Sequence, residues 1–73
     1  MGKQGDSQTI GNRIKELRKE KGMSQMELAE SSKLDVLTVI ELESGKSEPT
    51  VGELIAIAKT LDMAMPELFR GVV

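Results

Sequence analysis

A chain of 73 residues with a net charge of −2 is one domain, near the lower size limit for a self-sufficient core. It has neither cysteine nor histidine, which excludes disulfides, thiolate metal sites, and both the commonest metal ligand and the commonest general base. Stability must come from helix packing and helix caps, with or without a partner subunit, and no metal or cofactor is expected.

No apolar run approaches membrane-spanning length and no signal-peptide pattern opens the chain, so a cytoplasmic protein with no membrane partner is expected. Met1-Gly2 begins a myristoylation pattern, but Asp6 stands where that pattern needs Ser or Thr. The charge is unevenly placed. Residues 1–23 hold six cations against three acids, a net of +3, whereas residues 24–73 hold four against nine, a net of −5. A nucleic-acid partner would therefore be met largely by the first helix and the loop after Gly45.

Residues 1–8 are polar, with nothing to bury, and read as a flexible N-terminal arm. Ile10, Ile14 and Leu17 then recur on one face of a helix expected over about 9–21, which Gly22 ends. Ser24-Gln25-Met26-Glu27 is a capping box, with Met23 and Leu28 spaced as a hydrophobic staple, and it starts a second helix. Asp35 offers the N-cap of a third, whose inner stripe is Val39 and Leu42 and whose exit is Gly45. Two short helices joined by a tight turn make a helix-turn-helix, whose second helix usually enters the DNA major groove.

Val36 to Ile40 taken alone is β-branched and apolar enough for a buried strand, yet no partner strand is available elsewhere, and a helix is expected. Thr50-Val51-Gly52-Glu53 is a second capping box, after Pro49. It opens a fourth helix carrying Leu54, Ile57, Ala58 and Leu61. A short fifth is expected over about Pro66–Arg70, then an apolar tail at 71–73. The fold class is all-α, a compact five-helix bundle over 9–70.

The set Ile10-Gly11, Ile14-Lys15, Leu17-Arg18, Gly22-Met23-Ser24-Gln25, Glu27-Leu28-Ala29, Leu42-Glu43, Gly45-Lys46, Pro49-Thr50, Leu54, Ile57-Ala58, Leu61 and Glu67-Leu68-Phe69 covers nearly the whole chain. It resembles the Cro/repressor-type (XRE-like) helix-turn-helix regulators of phages and bacteria. The resemblance implies a lambda-repressor-like DNA-binding domain, acting as a repressor or controller protein on a palindromic operator as a homodimer. It places Arg13, Arg18, Ser24, Gln25, Thr38, Ser44 and Lys46 towards the DNA backbone, and Val36, Leu37 and Glu41 towards base edges, with Ile40 beside them. It pairs Arg18 with Glu43 as a structural ion pair and implies a two-fold contact near the C-terminus, where Met65, Leu68, Phe69, Val72 and Val73 are the apolar candidates.

The third helix departs from the usual pattern. Base readers favour Gln, Arg, Asn, Ser or Lys, which supply directed donors, whereas Val and Leu touch only thymine methyls and Glu41 can only accept, as from cytosine. Shape readout can supplement such contacts. Exposed aliphatics also mark protein-binding surfaces. Val36, Leu37 and Ile40 are accordingly candidates for a protein partner, as in an antitoxin-like or anti-repressor module on the same fold. Lys33 stands where the family often has glycine, at a cost of about 1 kcal/mol if the backbone there is left-handed. Catalysis is not expected, since no phosphate-cradling glycine loop, nucleophile–base pair or metal cluster is present.

Overall fold

A computed structural model of the chain describes residues 9–72. These contain five helices, α1 (Ile10–Glu20), α2 (Gln25–Ser32), α3 (Val36–Ser44), α4 (Val51–Thr60) and α5 (Met65–Leu68). The stretch at 36–40 is helical, for its inward residues Val39 and Leu42 recur at helical spacing. The expected arm at 1–8, and Val73, lie outside the described residues. None of the helices is long and apolar enough to cross a membrane.

Both capping boxes form. The Ser24 hydroxyl accepts from the Glu27 N–H at 3.0 Å while Glu27 accepts from the Ser24 N–H at 2.8 Å. Thr50 and Glu53 make the same exchange at 3.1 and 3.0 Å. Thr9 caps α1 by accepting from Asn12. Asp35 occupies the N-cap position of α3, but its side chain makes no cap hydrogen bond, so the expected cap is one of position only.

The first four helices end alike, with an N–H reaching back five residues: Met23 to the Arg18 carbonyl, Leu34 to Ala29, Lys46 to Glu41 and Met63 to Ala58. This closure needs a left-handed residue just before the donor. Gly22 and Gly45 supply it at two ends, while Lys33 (φ 60°) and Asp62 (φ 58°) adopt it at the other two. The turn between α2 and α3 thus rests on a strained lysine.

Ile14, Leu17, Leu28, Val39, Leu42, Leu54, Ile57, Leu61 and Leu68 are buried together as one core, with Ala29 and Ala58 allowing close approach. Burying each large aliphatic side chain contributes roughly 1.5–3 kcal/mol. Met23, the outer half of the staple, and Leu34 pack against the core from just before α2 and α3. Gly11 explains how near α1 lies to α3. A Cβ built on it would overlap the Leu42 carbonyl oxygen and stand 3.0 Å from the carbonyl carbon.

Candidate nucleic-acid interface

The helix-turn-helix is braced from behind by one buried charge cluster. Arg18 on α1 donates through Nε to Glu43 Oε2 at 2.7 Å and through Nη2 to Oε1 at 3.0 Å. Its Nη1 donates to the Met23 carbonyl at 2.7 Å. Both residues are less than a tenth exposed. A guanidinium matches a carboxylate in this fork geometry, and the third donor ties the pair to the segment that enters α2. Gln25, at the first turn of α2, completes the cluster by donating through Nε2 to Glu43 Oε1 at 3.0 Å. One carboxylate on α3 therefore holds α1, α2 and the chain between them.

This geometry changes the roles expected of two residues. Arg18 has all three guanidinium nitrogens hydrogen-bonded inside the protein and is nearly buried, so it is an interior brace with little surface to offer a phosphate. Arg13 is drawn towards α5, donating through Nε to the Leu68 carbonyl at 3.3 Å and through Nη2 to the Glu67 carbonyl at 2.9 Å. Only its remaining edge is free for a phosphate. Gln25 keeps one amide proton beyond the one given to Glu43, at the amide-rich start of α2.

On α3 the buried residues are Val39, Leu42 and Glu43. A period of 3.6 residues puts Leu37, Glu41 and Ser44 on the opposite ridge, with Ile40 on its flank. Leu37 is 59% and Ile40 39% exposed. Val36 is only partly available, since it packs against the core, and Ile40 is the more outward of the two. Thr38 is half-buried on the other flank. The Ser44 hydroxyl donates to the Glu41 carbonyl at 3.2 Å. Lys46 follows the left-handed Gly45 and is exposed. Among the cations expected at the backbone, Lys46 is the one whose side chain makes no hydrogen bond to other described residues.

At the C-terminal end, Leu68 is completely buried in the core and offers no surface, which removes it from the expected dimer contact. Phe69 is 39% exposed. With Val72, Ile10, Pro49 and Leu54, it lines an open groove of about 410 Å³ between α1, α4 and the chain after α5. Met65 is half-buried and packs on the core.

A helix-turn-helix family model, HTH_3, matches residues 14–68. The HTH-type transcriptional regulator DdrOP3 of Deinococcus deserti is 30% identical over 60 residues, covering 82% of this chain. The match takes in 46% of that regulator, so the chain spans about half the length of the curated relative. Among solved structures, the restriction-modification controller protein C.AhdI from Aeromonas hydrophila is similar, with a TM-score of 0.80 and 38% identity, over 82% of this chain and 91% of that one. SinR of Bacillus subtilis, a master regulator for biofilm formation solved in complex with DNA, has a TM-score of 0.79 and 34% identity, over 84% and 98% of the two chains.

Proposed function

Because the chain belongs to the HTH_3 helix-turn-helix family, whose members are DNA-binding transcription regulators and not enzymes, we propose that it binds duplex DNA with α3 in the major groove and regulates transcription. The observation that carries this reading is the Arg18–Glu43–Gln25 cluster. It fixes α3 against α1 and α2 from the inside and leaves Leu37 and Ser44 exposed outside, with Glu41 half-buried on the same ridge. Gln25, Ser24, Ser44 and Lys46 stand at the adjoining helix start and helix exit. They set register through phosphate contacts, while α3 meets the base edges.

The chain acts as a homodimer on a two-fold symmetric operator, with half-sites about one helical turn apart. The contact uses the groove edged by Phe69 and Val72. The solved relatives bound to DNA, SinR among them, support the DNA reading. Leu37 and Ile40 favour a second reading, in which α3 meets protein; SinR is also known in complex with SinI protein.

The test is selection from a randomised duplex pool, with sedimentation velocity on the same protein. Enrichment of a two-fold symmetric site, and a dimer that Phe69→Glu converts to monomer, support the proposal. A pool that enriches nothing sinks the DNA reading. An unaltered dimer in Phe69→Glu sinks the placement of the contact.

A further inference from the structure

The outward ridge of α3 lacks every side chain that reads a base by donating N–H groups: VLTVIELES contains no Arg, Lys, Asn or Gln. The bidentate pairings of Arg with guanine and of Asn or Gln with adenine are therefore unavailable from this helix. Its exposed apolar groups are the isobutyl of Leu37 and the side chain of Ile40, while the Ser44 hydroxyl is turned onto the Glu41 carbonyl. Glu41 lies one turn from Leu37 on the same ridge, and its carboxylate can only accept. It repels guanine O6 and N7, thymine O4 and the phosphates, and it suits the N4 amino group of cytosine.

In the major groove one apolar group distinguishes bases, the C5-methyl of thymine, and 5-methylcytosine carries the same group at the same position. We propose that α3 recognises pyrimidine C5-methyl groups, with Leu37 as the principal specificity-determining residue and Ile40 beside it. Thymine is read by its methyl alone. At a position that Glu41 also reaches, 5-methylcytosine is read by methyl and N4 amino group together. This rests on the DNA-binding reading. Duplex DNA, rather than a protein, is the occupant because the apolar ridge is continuous with groups suited to phosphate on either side of it. These are the second amide proton of Gln25 at the start of α2, and Lys46 with the exposed turn after α3.

The experiment starts from a duplex selected by the 73-residue chain and replaces each thymine singly by uracil, which removes one methyl and alters no hydrogen-bonding group. Where α3 reads a methyl, affinity falls about fourfold, the effect of uncovering one buried carbon of hydrocarbon. At those same positions a pair containing 5-methylcytosine binds about fourfold tighter than one containing cytosine. Leu37→Ala, at a site too exposed to disturb the core, retains the melting curve and binds thymine and uracil duplexes alike. Equal affinity of the parent protein for thymine and uracil duplexes at every position overturns the methyl inference alone. So does a 5-methylcytosine pair no better than cytosine, or a Leu37→Ala variant that keeps the thymine preference. A pool that enriches no duplex at all overturns the DNA reading and this inference with it, and gives α3 to a protein partner.

Discussion

Gly11 of α1 and the backbone of Leu42 of α3 are in contact so close that no side chain fits between them. The contact lies two residues before the end of α3 and on the same pair of helices that Arg18 and Glu43 join. Packing and charge thus fix the same interface.

Gly11→Ala separates cause from propensity at this contact. Alanine is the better helix former by about 1 kcal/mol, but here the added methyl meets backbone that cannot rotate away. Moving α1 off α3 costs more, and the variant should be less stable than the parent by about 2 kcal/mol. Urea denaturation gives the sign directly. A variant as stable as the parent would mean that α1 and α3 lie further apart.

Removing half of the buried ion pair should be severe. Glu43→Ala leaves the Arg18 guanidinium buried without its carboxylate, and it also frees Gln25. The expected loss is roughly 3–5 kcal/mol. For a domain of this size that is a large part of a total of roughly 4–11 kcal/mol. Replacing both charges, as in Arg18→Met with Glu43→Leu, should recover most of the loss because no uncompensated charge remains. Thermal melts of the parent, single and double variants form the cycle; a double variant no better than Glu43→Ala would contradict this account.

Lys33 is held at φ 60°, where a Cβ is strained and glycine is not. Lys33→Gly should raise stability by about 1 kcal/mol, since its side chain is exposed and no hydrogen bond of that side chain is lost. A rise in the urea midpoint at unchanged slope is the expected result. Asp62, at φ 58°, predicts the same direction for Asp62→Gly.

Lys46 is the exposed cation beside the exit of α3, while Arg13 and Arg18 are tied into the protein. If α3 sits on DNA, Lys46→Ala should weaken binding about equally across sequences and reduce the slope of log K against log salt by about 1 per copy. Fluorescence anisotropy at several salt concentrations measures it. A change in base preference instead would place Lys46 at a base edge.

Local chemistry was readable wherever one short stretch of chain decides it. Ser24 with Glu27 and Thr50 with Glu53 fix two helix starts, Gly22 and Gly45 fix two exits, and the apolar spacing in each helix marks the buried stripe. Each depends on neighbours within about one turn, and the five-helix fold follows from them together with the family pattern. The unread part is non-local. Asp35 and Asp62 look alike in sequence, yet the first sits at a cap without making the cap hydrogen bond and the second adopts a left-handed exit. Leu68 and Phe69 are adjacent apolar residues, and only the approach of α1 and α4 to α5 decides that one is core and the other surface. Arg13 and Arg18 have the same charge and nearly the same setting, but their partners lie more than fifty and about twenty-five residues away. Sequence by itself determined which helices form and which faces of them are apolar, because those follow from backbone hydrogen bonding and side-chain period. Tertiary structure alone decided which charges are free to meet DNA, because a guanidinium goes to whatever carboxylate or carbonyl the packed helices bring beside it.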